Sequence, residues 1–368
     1  MDDSPATGSD RIRRWASTMG GSPGADGSGA AVRHAHEGGA NGLLGPDGAS
    51  RLLTRSQREE LEDAQLAPGA TRASGAGRRS RPEEPDPLRT CFERDRDRIL
   101  HAESFRRLAG KTQVFVFPED HQRTRLTHAL EVAQVAVSIA TAVGANVALT
   151  EAIALGHDCG HGPGGHASED AFSPYVEGGY DHAVWGADVV LQPLNLCEET
   201  LDGIRNHSWS RPLPSTPEGE IVSWADRIAY VCHDMEDASQ VGIVDDHMLP
   251  GVVLERCGTR RSARLGAFIA GVVRAVEQTG AIGMTEPLAE ALAEFRAFNY
   301  EHIYMRPDSL KQSESVIRVL RALVEHYLAE GSTPEEAVGW VGGMTDRYAF
   351  RQAQVLLGWP SDELPVGI

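Results

Sequence analysis

From about Thr90 onward the apolar residues recur at helical spacing; before that point they follow no regular period. The clearest stretch is Leu126 to Val143, where Val132, Val135, Ala136, Ile139 and Val143 share one face and Gly144 follows as a natural terminator. A second apolar run predicts a helix over 146–158, broken sharply by GHGPGGH. CFERDRDRILHAESFRRLAGKTQ places Ile99, Phe105 and Leu108 among charges, with Gly110 as its stop. Further helices are predicted over 180–191, 197–207, 218–241, 262–279, 284–303, 310–330, 333–342 and 344–357. Alternation of period two is scarce, and only Val114–Phe117 reads as extended. The pattern predicts an all-α fold of packed helices without an internal repeat.

Residues 1–88 are rich in Gly, Ala, Ser, Pro and Arg, as in GGSPGADGSGAA. Such a stretch has too little apolar surface to offset the entropy of ordering it. It predicts a disordered or weakly ordered extension, with Leu52, Leu53 and Leu61 marking a short transient helix. Residues 89–368 then form the globular part, with a core at about 120–240 and a helical C-terminal region at about 250–360.

Charge changes the picture in one place. The 368 residues carry 35 Lys+Arg against 53 Asp+Glu, a net of −18, and only Lys111 and Lys311 are lysines. Polyanions seek basic surfaces, so the acidity argues against a nucleic-acid or anionic-membrane partner. It leaves room for a small anion in a local basic or metal-lined pocket. Residues 91–125 hold eight basic and six acidic groups, whereas 126–368 hold 15 and 34. This Arg-rich stretch leads into the Leu126 helix and predicts a narrow basic entrance. Five cysteines without a CxxC argue against a disulfide scaffold or a cysteine zinc site. MDDSPATGSDRIRRW has no apolar segment of the secretory kind, and no run approaches the roughly 20 apolar residues of a membrane helix. A cytoplasmic protein is expected.

Four segments carry polar residues that core helices do not need: HQRTRLTHALEVAQ, GHDCGHGPGGHASED, RNHSW and SWADRIAYVCHD. His157 and Asp158 end an otherwise apolar helix, His128 sits early on an amphipathic one, and Asp226 lies among Trp224, Ala225, Ile228 and Ala229. A buried His or carboxylate is costly unless paired or metal-bound. Two imidazoles and two carboxylates suit a divalent ion such as Mg²⁺, Mn²⁺, Fe²⁺, Co²⁺, Ni²⁺ or Zn²⁺ with open positions. Singly, each is as readily a hydrogen-bonded core residue; the combination is what points to a metal. His157 and His161 are expected on one helical face, with the glycine-rich turn folding His166 back toward them. Glu169, three residues after His166, is placed to orient that imidazole.

The order His128, His157-Asp158, Asp226 resembles the HD-domain metal-dependent phosphohydrolases. The strings RDRDRILHAESFRRLAGKTQVF, HQRTRLTHALEVAQVA, LTEAIALGHDCGHGPGGHASEDAF, ADRIAYVCHDMEDA, FNYEHIYMRP and GMTDRYA are similar to the bacterial deoxyguanosine triphosphate triphosphohydrolases, from about Arg89 to Leu357. The resemblance implies an HD-domain helical bundle with additional C-terminal helices. It implies hydrolysis of a dNTP to a deoxynucleoside and inorganic triphosphate. His128, His157, Asp158 and Asp226 would hold the metal, Mg²⁺ or Mn²⁺ foremost. His166 would transfer a proton, oriented by Glu169, and His161 would lie near the phosphates. Arg125 and His182 would contact phosphate, Tyr230 and Asp234 the deoxyribose, and Gln113 base or sugar. A homo-oligomer and, in some relatives, a dNTP activator are also implied. Two departures bear on substrate contacts. Ala183 and Trp185 stand where relatives carry Asn and Gln, and Gly164 replaces a bulky aromatic, so a looser turn is expected. The alternatives are an HD phosphohydrolase of another nucleotide and a catalytically weak nucleotide-sensing regulator.

Overall fold

The computed structural model describes residues 8–23, 32–36, 43 and 52–365. The chain divides into two compact units at Leu53/Thr54. In the first, helix α1 (Gly8–Ser17) has no buried residue, and β1 (Ser22–Pro23) pairs antiparallel with β2 (Arg33–His34). Residues 1–7, 24–31, 37–42 and 44–51 of the expected extension lie outside the described residues.

The second unit is helical throughout. It comprises α2 (Arg55–Asp63), α3 (Cys91–His101), α4 (Glu103–Arg107), α5 (Arg125–Val143), α6 (Val147–Gly156), α7 (Ala167–Phe172), α8 (His182–Trp185) and α9 (Glu198–Arg205). These are followed by α10 (Pro217–Gln240), α11 (Gly251–Cys257), α12 (Arg261–Thr279), α13 (Glu286–Asn299), α14 (Pro307–Ala329), α15 (Pro334–Gly342) and α16 (Asp346–Leu357). The all-α expectation holds, and the long helices fall within a few residues of their predicted spans. Two short ones, α7 and α11, have too few turns to show a period. Val114–Phe117 forms no strand; the isolated bridge Thr112–Thr124 lies just before it and does not extend into it.

The extension differs from expectation between 54 and 88, where the chain packs onto the body. Thr54 and Gln57 cap α2 reciprocally. The Thr71 amide and hydroxyl donate to Glu218 at 3.0 and 2.6 Å, and Asn146 Nδ2 donates to the Thr71 carbonyl at 3.0 Å. Arg79 is buried against Asp95 at 2.5 Å and donates to the Cys91 and Asn195 carbonyls. The ordering energy comes from buried polar pairs with residues far along the chain, which composition cannot register.

Two apolar cores flank the site. The larger joins α3, α5, α6 and α9–α13. The smaller joins α7 and α14–α16, with Tyr180 and Trp185 packed in. α5 is long and apolar enough to cross a membrane by length and composition, contrary to the sequence count, but nine of its residues are buried, seven of them in the larger core. All five cysteines are buried and free.

The loop between α6 and α7 is clasped from the C-terminal side. Lys111 Nζ donates to the His161 carbonyl at 2.5 Å and to the Gly342 carbonyl at 2.9 Å. Asp346 accepts from the Thr112 amide (2.9 Å), the Thr112 hydroxyl (2.5 Å) and the Gly164 amide (2.9 Å). The turn is therefore pinned, not loose. Gly164 has φ +73°, and any Cβ there would run into Val316 of α14.

Candidate active site

His128 lies one turn into α5, and its Nε2 is 3.0 Å from Asp226 Oδ1 on α10. His157 follows the last residue of α6, so 157–160 run as turns and the expected shared helical face with His161 is not formed. His157 Nδ1 is 2.6 Å from the Ala154 carbonyl oxygen and donates to it, which leaves the lone pair on Nε2. That Nε2 is buried without a hydrogen-bond partner, 3.4 Å from Asp158 and 3.6 Å from Asp226. Ligand atoms of His128, His157 and Asp226 lie within 4.8 Å of one another, and so do those of His157, Asp158 and His207.

Acceptors facing one another in a buried space call for positive charge among them, supplied by a proton or a metal cation. The electrostatics agree. Burial opposes charge on His157, yet Asp158 and Asp226 raise its pKa to about 9. Burial opposes the Asp226 carboxylate too, and His128 and His157 hold it well below the usual range. A mixed N/O donor set with this demand for positive charge fits a divalent ion.

Arg125 is not a free cation. Its Nη1 meets Asp158 Oδ2 at 2.7 Å in a buried pair. Burial raises the Asp158 pKa, but Arg125, His157 and His161 outweigh it and hold it well below the usual range. Gly165, at φ +65°, gives the guanidinium room, since a Cβ there would stand 2.8 Å from Arg125 Nη2.

The expected His166–Glu169 dyad is loose. His166 is exposed, with Nδ1 3.6 Å from Glu169 Oε2. Glu169 Oε1 instead accepts from His182 Nδ1 at 2.5 Å and from the His182 amide at 3.1 Å. The first turn of α7 aims Glu169 at the start of α8. Burial opposes its charge, but His166 and His182 hold its pKa far below the carboxylate range. His161 stacks on His182 with ring centroids 3.7 Å apart, and the turn brings His166 within 4.9 Å of His161. Burial, with Arg125 and His182 nearby, pushes the His161 pKa well down.

Tyr230 and Asp234, one turn apart on α10, line the same cavity of about 450 Å³, as does Gln113. Tyr304 donates to Asp234 Oδ2 at 2.5 Å, while Oδ1 is buried without a partner. Burial raises the Asp234 pKa to about 7, against the pull of Tyr304 and His128. With the folded value above the unfolded one, stability falls as pH rises from about 4 to about 7 and the full penalty stands above that, up to about 4 kcal/mol. Asp234→Asn is expected to gain Tm over wild type at pH 8 and to gain far less at pH 5. A Tm difference independent of pH would overturn this.

A profile of the HD domain family matches residues 125–231, from the start of α5 into α10. A deoxyguanosinetriphosphate triphosphohydrolase-like protein of Caldanaerobacter subterraneus is 40% identical over 320 residues, covering 81% of this chain and 94% of its own length. Its namesake from Clostridium perfringens is 36% identical over 330 residues, covering 82% and 96%. The chain belongs to the HD-domain deoxyguanosinetriphosphate triphosphohydrolase-like family.

In this family member several cavity residues had drawn no assignment from the sequence. His207, in RNHSW, donates from Nδ1 to the Ile204 carbonyl at 2.8 Å and sets Nε2 3.3 Å from His182 Nε2. Burial, with His157 and His182 beside it, lowers its pKa to about 3. Trp209, Arg227, Arg296 and Tyr304 also line the cavity. The expected basic entrance has a different source, because the arginines of 91–125 are largely consumed in ion pairs. Arg94 and Arg98 pair with Glu83, and Arg123 pairs with Glu131, Glu236 and Asp237. The substituted Trp185 packs against Tyr180, whose hydroxyl donates to the Gly160 carbonyl at 2.5 Å. It serves the smaller core and does not line the cavity.

Proposed function

We propose that this phosphohydrolase-family chain hydrolyses deoxynucleoside triphosphates to deoxynucleoside and inorganic triphosphate. The observation that supports it most is a pair of arginines in the same cavity as the metal-type donors. Arg227 and Arg296 line that cavity, and neither is in a salt bridge among the described residues. Burial, with Arg296 adding to it, lowers the Arg227 pKa. Two guanidiniums outside salt bridges, with Arg296 Nε donating to the Tyr230 hydroxyl at 3.0 Å, fit a polyanionic tail, and their N–H forks match phosphate oxygens. A cavity of about 450 Å³ suits a nucleotide-sized ligand.

A divalent ion held by His128, His157, Asp158 and Asp226 would polarise the α-phosphate and lower the pKa of water. Arg227 and Arg296 bind the phosphate tail. Glu169 holds His182, and His166 stands at the exposed edge of the same imidazole group, so a proton can reach the leaving 5′-oxygen from there. Tyr230 takes the sugar face, and Asp234 with Tyr304 faces the 3′-hydroxyl.

The test is a product-resolved assay on the metal-loaded chain with each dNTP singly and with mixtures, which cover an activator requirement. Equimolar deoxynucleoside and triphosphate are expected. Pyrophosphate with a deoxynucleoside monophosphate would sink the proposal. Tight dNTP binding without turnover in any mixture would favour the regulator.

A further inference from the structure

Trp209 stands at the cavity with 48% of its surface exposed, and three contacts fix its indole. Its Nε1–H donates to the Ser223 carbonyl at 3.1 Å. Its ring meets Trp224 edge-on, with centroids 4.7 Å apart at 77°. Its face takes the Arg227 guanidinium, whose carbon lies 3.6 Å from the ring centroid. Ser223, Trp224 and Arg227 lie within about one turn of α10, so the indole lies against that turn of the helix.

A half-buried arginine ordinarily has a carboxylate partner. Arg227 has none in a salt bridge among the described residues, and its Nε is buried without a hydrogen bond. The contrast within the molecule is sharp, since Arg79, Arg123 and Arg125 all face carboxylates. A carboxylate would orient a guanidinium but also cancel its charge and occupy its N–H donors. An aromatic face orients the plane by cation–π attraction and stacking while leaving both charge and fork for a ligand.

We infer that Trp209 is a positioning residue, whose indole face holds the Arg227 guanidinium ready for the terminal phosphates of the substrate. The inference rests on the triphosphate reading above. Loss of the face loosens binding of the phosphate tail and leaves the chemistry at the α-phosphorus intact.

Inorganic tripolyphosphate is the probe, titrated calorimetrically into the full-length, Mn²⁺-loaded chain. Trp209→Leu keeps bulk without a π face, and Trp209→Phe keeps a face without the Nε1–H. Leu is expected to weaken tripolyphosphate binding about 10-fold, within the range of a desolvated cation–π contact, and Phe no more than about threefold. For dNTP, KM should rise by the same factor in Leu with kcat within about twofold, as for a group that binds ground and transition states alike. Tripolyphosphate should also shift wild-type tryptophan emission and leave that of Trp209→Phe unmoved. Equal binding by Leu and wild type, equal losses in Leu and Phe, or a fall in kcat at constant KM would each overturn the role. A wild type that releases pyrophosphate would refute the reaction assigned above, while the affinity comparison would still decide the role of Trp209.

Discussion

Asp226→Ala is expected to abolish turnover, by about 1,000-fold or more, and to remove bound metal. Asp226 Oδ1 is the point where two imidazoles converge, at 3.0 Å from His128 and 3.6 Å from His157. Without it, two buried lone pairs face each other across a gap with one fewer negative charge to hold a cation. The loss should be visible without any rate measurement. A divalent metal held at this site would bind the folded chain in preference to the unfolded one, so Mn²⁺ should raise the wild-type Tm in a concentration-dependent way. Asp226→Ala should lose most of that shift. A variant that keeps its metal stoichiometry and more than a tenth of the rate would refute the assignment, as would full activity in chelated wild type.

Glu169→Gln is expected to lower the single-turnover rate by about 10²–10⁴-fold at saturating metal, the usual range for a lost acid–base group. Glutamine keeps the shape but gives up the charge that orients His182. Because Glu169 holds His182 at 2.5 Å and stands 3.6 Å from His166, His182→Ala should cost at least as much as His166→Ala. Metal content should stay at the wild-type level in all three, which separates this effect from loss of the ion. A loss below 10-fold in Glu169→Gln would remove Glu169 from the chemistry. A large loss in His166→Ala beside a small one in His182→Ala would restore the assignment that the motif alone favours.

That assignment shows where the sequence falls short. His166 and Glu169 are three apart, and spacing pairs them naturally. The structure gives Glu169 a closer partner 13 residues on, because α8 starts against the first turn of α7. Arg125 likewise reads as a phosphate ligand three residues before His128; it does line the cavity, but its Nη1 is held by Asp158, 33 residues away. The locally positive stretch 91–125 foretells a basic entrance, but its arginines are spent on Glu83, Asp97, Glu131 and Asp158. Among the described residues, the cavity arginines outside salt bridges are Arg227 and Arg296, whose sequence neighbourhoods are acidic.

By itself the sequence determined most of the helices, the all-α class, the donor residues that the fold brings close together and the kinship carried by the motifs. These rest on periodicity and on the identity of residues at short range, which survive without coordinates. Only the tertiary structure decided which acid holds which imidazole, which arginines stay unpaired, that residues 54–88 join the body, and that Asp346 and Lys111 pin the turn before His166. Each is a pairing between groups that folding brings together, from a dozen to more than 200 residues apart. Burial strengthens such pairings, because a polar group removed from water must find its partner wherever the fold puts one.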